Sequence, residues 1–211
     1  MKKRILMAII AAVAVVGAAN AQVTISGGLA LGSAEYKDSM GSSTIKGDVG
    51  IGGNIYLDYV LPIGVPMSLG IEAGIDTSTF KDTNKDSNTE DVGTAIPILL
   101  RVAYHFDLAS NLDLYLVGKI GYAFNDFTGD TADYMKSVDV TLEMEGGIAF
   151  GIDLGVCFYF TPLVGIFAEA GYDQYNGKVT AKFNDYYSGS SSETIDTTFN
   201  RFFTAGLSIK F

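Results

Sequence analysis

VDVTLEMEGGIAFGIDLGVCFYF, the segment from Val138 to Phe160, alternates between two kinds of residue along its whole length. Its even positions are large and apolar, with Gly146 as the one exception, and its odd positions are acidic, small or weakly polar. Because successive side chains of a β-strand point to opposite faces, the pattern predicts a single strand with an apolar and a polar face. The strand is long, its polar face carries acids and glycines, and the pattern recurs along the chain. We therefore expect the apolar face to contact lipid, as in a transmembrane barrel.

The overall composition agrees with a membrane protein that has no membrane helix. Only 18% of the 211 residues are charged and 48% are hydrophobic, yet the apolar residues beyond the N-terminus are dispersed by alternation. A membrane helix needs about 18 or more uninterrupted apolar residues. The net charge of -10 disfavours nucleic acid as a partner. The length suits one domain, or at most two.

The first 21 residues predict a cleaved signal peptide. Lys2, Lys3 and Arg4 form a basic start, an apolar stretch follows, and Ala19-Asn20-Ala21 fits the small-x-small cleavage rule. The alternative is a retained membrane anchor, but the apolar run is short and ends in a cleavage site. The predicted organisation is therefore a signal peptide at residues 1–21 and an outer-membrane β-barrel domain at residues 22–211.

The alternation predicts eight antiparallel strands in an all-β, up-and-down transmembrane barrel. They lie at about residues 23–36, 46–61, 67–78, 92–106, 112–125, 138–160, 164–175 and from 199 to the C-terminus. The connections alternate strictly between three short turns (62–66, 107–111, 161–163) and four longer polar loops (38–43, 81–91, 126–136, 176–196). Barrels with both termini in the periplasm have short periplasmic turns and longer external loops. The sixth strand exceeds a single crossing of about 9–11 residues, so its first half is expected to project above the membrane.

Aromatic residues on the apolar faces sort to the two ends of the predicted strands. Those near the short turns are Tyr59, Tyr104, Phe106, Phe158, Phe160 and Phe211, and those near the long loops are Tyr122, Phe124, Tyr172 and Phe199. Two such girdles are typical of the two membrane–water interfaces of a barrel.

The signal segment, the eight alternating strands and the terminal FFTAGLSIKF of residues 202–211 resemble the small bacterial outer-membrane barrels of the OmpX, OmpW and OmpA-transmembrane-domain type. The resemblance implies the cell outer membrane of a diderm bacterium, with outer-membrane lipid as surroundings. It also implies a C-terminal signal for the barrel-assembly machinery, formed by Phe203, Leu207, Ile209 and Phe211.

Inward positions of the predicted barrel carry charges that we expect to pair. Counting residues from the short turns places Glu72 level with Arg101 and Lys119 level with Asp153, with Glu169 closing the cluster. Buried charges are tolerated when they are paired. Two interpretations stay open: a structural plug that fills the lumen, or a gate across a narrow path that prefers cations.

Cofactors and metals are not expected. The loop from Asp82 to Asn88 is similar to the start of a calcium loop, but Ser87 and Gly93 replace the glycine and glutamate that such a loop needs. It predicts a solvated acidic loop.

An enzyme is not expected either. Eight-stranded enzymatic barrels resembling PagP or PagL need a histidine near the outer rim with a serine or acid beside it. The single histidine, His105, falls near a periplasmic turn and predicts a hydrogen-bonded filler, so we expect no Ser-His-acid set to form.

Two functions remain open from the sequence. One is a structural or adhesive barrel that displays external loops, including the adjacent Tyr186 and Tyr187, to an extracellular ligand. The other is a narrow passive channel for small ions or hydrophobic solutes, whose pocket would be lined by the predicted inward aromatics Phe167, Tyr175 and Phe202.

Overall fold

A computed structural model describes residues 22–38, 44–81, 90–138, 140–185 and 189–211. The predicted signal segment, the loop of residues 82–88 and the tyrosines at 186 and 187 lie outside these ranges. Within them, no helix is both long and apolar enough to cross a membrane.

The described chain forms nine β-strands and one short helix. The strands are β1 (Val23–Asp38), β2 (Thr44–Lys46), β3 (Gly50–Val60), β4 (Met67–Lys81), β5 (Glu90–Ala109), β6 (Leu112–Gly129), β7 (Val140–Tyr159), β8 (Val164–Asp185) and β9 (Gly189–Lys210). The helix α1 (Asp130–Ser137) joins β6 to β7.

Eight of these strands close into an antiparallel barrel, as predicted. The order is β1-β3-β4-β5-β6-β7-β8-β9, and β9 pairs back onto β1 from Thr24↔Lys210 upward. Of the strands that the structure describes, the short β2 pairs with the upper part of β1 alone. Among the described strands, closure leaves no free edge in the membrane, where an unpaired backbone group costs several kcal/mol.

The outer surface of the barrel is apolar and the inner surface holds the polar residues. Leu29, Leu100 and Ile148 are 61–71% exposed, although all three are large and apolar. Lipid contact explains this inversion of the usual burial pattern. The aromatic residues predicted to face outward at the two strand ends are exposed or half-buried, except Phe199.

A β-bulge in β7 exchanges the two faces of this strand. The β7–β8 register shifts between Gly146 and Ala149. Below the bulge, Ile148 and the even positions face lipid; above it, Val140 is buried and the Glu143 side chain is 48% exposed. A single phase from Val138 to Phe160 is therefore the wrong prediction for the upper half. The apolar series faces lipid inside the bilayer and turns inward where the outer face meets water.

A second bulge, in β9, corrects the predicted phase of the last strand. Phe203 pairs with Leu31, but Arg201 pairs with the next residue of β1, so Phe202 is the extra residue. Phe199 is then 2% exposed and faces inward, whereas Phe202 is 39% exposed and faces outward. Both placements are opposite to those predicted from uninterrupted alternation.

Two predicted loops are regular structure. Residues 176–196, predicted as the longest loop, largely continue β8 and β9 as a paired hairpin up to Asp185↔Gly189. Residues 126–136 extend β6 to Gly129 and then form α1. β6 and β7 pair only as far as Ala123↔Gly147, and α1 packs against β5, β6 and β7 above that point.

Candidate functional site

A network of nine ionisable side chains crosses the middle of the lumen. Seven strands contribute to this lumen network, which consists of Asp58, Glu72, Asp76, Arg101, Lys119, Asp153, Glu169, Asp173 and Arg201, all of them buried. Six carboxylates thus meet three cations. In the described residues no group of His, Cys, Asp and Glu is arranged to hold a metal ion.

Arg101 connects carboxylates from both sides of the lumen. Its guanidinium donates to Glu72 on β4 and to Glu169 on β8, each at 2.6 Å, and lies 3.4 Å from Asp58. The guanidinium carbon also stacks 3.7 Å from the centre of the Tyr56 ring. A planar, permanently charged fork suits this multiple pairing better than an ammonium group would.

Lys119 forms the second centre of the lumen network. Its ammonium group lies 2.5 Å from Asp153, 3.0 Å from Asp173, 3.3 Å from Glu169 and 3.4 Å from Glu72. Because an ammonium group has three donor hydrogens, at most three of these carboxylates accept a hydrogen bond from it at one time. All four lie close enough to share its charge.

Arg201 is the third centre, and the sequence prediction missed it. It donates to Asp76 at 2.7 Å and also to Glu72, and lies 3.7 Å from Asp173. Uninterrupted alternation along β9 would place this arginine in lipid. The free-energy cost of an arginine on the lipid face, together with the adjacent Phe202 and Phe203, indicates a bulge at this point of the sequence.

Glycines on neighbouring strands leave room for these carboxylates. A Cβ atom added at Gly151 would overlap the Asp173 carboxylate, and one added at Gly171 would overlap that of Asp153. Both glycines face the lumen next to the acids they accommodate. The narrow barrel therefore accommodates carboxylate side chains that lie over the glycines of the neighbouring strand.

Aromatic layers lie on both sides of the lumen network. The upper aromatic layer contains Tyr36, Phe80, Phe127, Tyr175 and Phe199, together with Leu99 and small alanines. The lower aromatic layer contains Tyr56, Tyr115 and Phe167, with Val117 and Cys157. Tyr115 also donates to Glu169 at 2.9 Å, which links the lower layer to the charges. An eight-stranded barrel is just wide enough for its interior to be filled in this way.

The five residues predicted for the lumen cluster come together in the structure. Glu72 contacts Arg101, Lys119 contacts Asp153, and Glu169 contacts both cations. At the C-terminus, the side chains proposed as an assembly signal are exposed on the outer face: Phe203, Leu207, Ile209 and Phe211.

A separate polar group lies at the short-turn end of the lumen. His105 Nε2 is 2.9 Å from the Ser68 hydroxyl, and His105 Nδ1 is 2.8 Å from an Asp113 carboxylate oxygen. The expectation that no Ser-His-acid set can form is therefore wrong. It considered only the outer rim, whereas the three residues meet at the opposite end, on the adjacent strands β4, β5 and β6.

A closed, eight-stranded antiparallel barrel with a lipid-facing apolar band defines the class: an integral outer-membrane β-barrel protein. The chain belongs to the outer membrane protein beta-barrel domain family, whose model matches residues 5–211. It lies in the outer membrane of a Gram-negative-type bacterium.

Solved structures share the fold at low sequence identity. OprG from Pseudomonas aeruginosa has 14% identity over 90% of this chain and 95% of its own, with a TM-score of 0.57. A major outer membrane protein from Thermus thermophilus has 12% identity over 91% and 100%, with a TM-score of 0.55. The outer membrane protein AlkL has 16% identity over 90% of each chain, with a TM-score of 0.51. No curated protein matches the sequence significantly.

Proposed function

We propose that this protein is a structural barrel with a filled lumen, which holds a rigid β-sheet at the cell surface for contact with extracellular ligands. The observation that carries the proposal is the layering of the lumen: the lumen network lies between the two aromatic layers. The network acts mechanically and performs no chemistry, because each of its cations is already shared between carboxylates.

The lumen network ties together strands that are not neighbours. Arg101 on β5 reaches Glu169 on β8, and Arg201 on β9 reaches Glu72 and Asp76 on β4. These pairs cross the lumen, so an open path would require several of them to separate. Removing one partner of a buried ion pair leaves an uncompensated charge and costs about 3–5 kcal/mol.

The upper ends of β7, β8 and β9 form a projecting sheet, which comprises residues 140–146, 176–185 and 189–198. β8 continues from the outer aromatic Tyr172 to Asp185. At about 3.3 Å per residue and a tilt of about 40°, that part of the strand rises roughly 30 Å above the girdle. The proposed display surface therefore stands well clear of the lipid headgroups.

The outer face of the projecting sheet is charged and suits water. Lys182 contacts Glu143 at 2.5 Å, with both side chains about half exposed. Lys178 is paired in register with Glu145 on β7 and Asp196 on β9. Such a face supports a role in contacts with polar or charged extracellular ligands.

The proposed partners inside the envelope are outer-membrane lipid and the barrel-assembly machinery. The exposed apolar band supports the first. The exposed series of Phe203, Leu207, Ile209 and Phe211, which share the outer face at the end of β9, supports the second.

A narrow cation-preferring channel is the second candidate function. Six carboxylates face three cations in the lumen network, and an excess of negative charge raises the local concentration of cations. This candidate requires the side chains of the network and of both aromatic layers to move aside.

Single-channel recording of refolded protein in planar bilayers separates the two functions. We expect no discrete openings from the wild-type protein, because the lumen is filled at three levels. The informative variant is Arg101→Ser with Lys119→Ser, and the matched control is Lys178→Ser with Lys182→Ser, which removes the same charge outside the lumen.

Cation-selective steps in the wild type, enlarged in the lumen variant and unchanged in the control, would overturn the structural proposal in favour of the channel. Heat-modifiable migration on gels verifies that each variant is folded before it is recorded.

A further inference from the structure

The polar group at the short-turn end has the hydrogen-bond arrangement of a catalytic triad. A serine hydroxyl meets Nε2 of a histidine at 2.9 Å, and the Nδ1 of that histidine meets a carboxylate at 2.8 Å. Nucleophile, base and orienting acid within hydrogen-bond reach are the geometric signature of nucleophilic acyl transfer. Ser68, His105 and Asp113 reproduce it.

Strand register builds this geometry from three adjacent strands. Ser68 pairs with Ala103 on β5, and His105 is the next inward residue toward the turn. His105 pairs with Tyr115 on β6, and Asp113 is again the next inward residue toward the turn. The contacts are therefore diagonal cross-strand contacts held by a closed sheet, which makes the arrangement rigid.

A mouth cavity lies beside this group at the short-turn end of the lumen. It is small and partly open to solvent, and its lining contains all three residues. The His105 and Asp113 side chains are 18% and 21% exposed, whereas Ser68 is fully buried, so an ester reaches the Ser68 hydroxyl by displacing lining side chains. The hydroxyls of Ser208 and Tyr159 line the same cavity.

We propose that Ser68, His105 and Asp113 form an acyl-transfer site that opens to the periplasm and hydrolyses small uncharged esters. The Ser68 hydroxyl oxygen forms a bond to the ester carbonyl carbon while its proton passes to His105 Nε2. The alcohol then leaves with that proton. Water, deprotonated by the same nitrogen, releases the carboxylic acid and restores Ser68. Asp113 accepts the hydrogen bond from Nδ1–H and is a positioning residue.

The cavity defines the substrate class. Asp58 and Asp113 line it and disfavour carboxylate and phosphate groups, while Tyr115 and Phe167 supply an apolar surface for a short acyl chain. Backbone amides of a closed sheet are used in the ladder, so the developing oxyanion depends on hydroxyl donors such as those of Ser208 and Tyr159. Each oxyanion donor contributes about 10²–10³ in rate. A site without backbone donors is therefore expected to turn over slowly.

Labelling with diisopropyl fluorophosphate tests the nucleophile directly. Ser68 forms the bond to phosphorus, fluoride leaves, and His105 takes the hydroxyl proton. Folded full-length protein is treated in detergent, and the adduct is measured by intact mass and located by peptide mapping. p-Nitrophenyl acetate hydrolysis provides a second rate.

The expected result is one adduct on Ser68 in the wild type and none in Ser68→Ala. His105→Gln slows labelling at least about 100-fold, since a general base contributes about 10²–10⁴. Asp113→Asn slows labelling and hydrolysis while the wild-type adduct site is kept. The matched control is Ser78→Ala, a fully buried inward serine on the same strand, which bonds Asp48 O outside the cavity.

Three results would each overturn the site: no adduct on folded wild type, an adduct on another residue, or labelling of His105→Gln at the wild-type rate. If Ser68→Ala does not fold, as judged by heat-modifiable migration, the wild-type adduct map and the His105→Gln rate decide the question alone. None of these outcomes bears on the proposed surface role.

Discussion

Arg201 is the residue whose removal we expect to weaken the barrel most. It is 2% exposed and bonds Asp76 and Glu72 across the lumen. Arg201→Ala leaves two buried carboxylates with less compensation, and we expect a loss of about 3–5 kcal/mol in the free energy of unfolding. Urea unfolding of the protein in lipid vesicles measures it.

The matched control for that variant is Lys182→Ala. Lys182 forms an ion pair with Glu143 at 2.5 Å, as short as those of the lumen, but its side chain is 46% exposed. Exposed pairs contribute about 0.2–1 kcal/mol, so little change is expected. Equal losses in the two variants would contradict a stabilising role for burial and bridging in the lumen.

The same residue marks the limit of sequence reasoning. Counting positions from the short turns predicts Glu72 beside Arg101, and the structure forms that pair at 2.6 Å. The count works because these strands keep one phase from the turn to the charge. It fails for Arg201 because the extra residue, Phe202, lies between the C-terminus and the arginine.

The β7 bulge decides which face of its strand meets water above the membrane. Deleting Gly146 and Gly147 together removes the bulge and one further residue, so regular alternation from Ile148 should turn Val140, Leu142 and Met144 outward and withdraw Glu143 from Lys182. We expect the variant to insert but its projecting sheet to be digested faster by proteinase K in vesicles, with the membrane-embedded part still protected. The phase-preserving control is the deletion of Gly147 alone, which removes only the extra residue and keeps both faces. Digestion identical to that of the control would show that the bulge does not set the faces.

Strand number and strand length were predictable to different degrees. Apolar alternation marks the eight crossings, because lipid demands an apolar outer face at every second position. It cannot mark the extensions of β8 and β9, since both Lys178 and Asp196 face water there. The Ser-Gly-rich composition of this region is also what a loop would have. The hairpin is held by pairing along its length, which alternation of hydropathy does not report.

The orientation of the whole molecule gives a further prediction. Short turns in the periplasm place the projecting sheet outside the cell. In a Cys157→Ser background, Lys178→Cys should react with a membrane-impermeant maleimide on intact cells. Ser110→Cys, in the short turn between β5 and β6, should react only after the outer membrane is permeabilised. The reverse labelling pattern would show that the barrel has the opposite orientation.

The alternation of short and long connections already predicted this orientation from the sequence, since the prediction depends on the lengths of the connections and not on contacts.

The lumen network also disfavours assembly of the barrel with a strand out of register. A strand that slips by two residues keeps every apolar side chain on the outer face, so lipid alone cannot reject the error. The same slip moves a side chain by about 7 Å along the strand. On β9, that shift would carry Arg201 away from Asp76 and Glu72 and separate buried charges that the correct register pairs. Hydrophobicity therefore selects the face of each strand, and charge selects the one alignment in which the last strand can join the first.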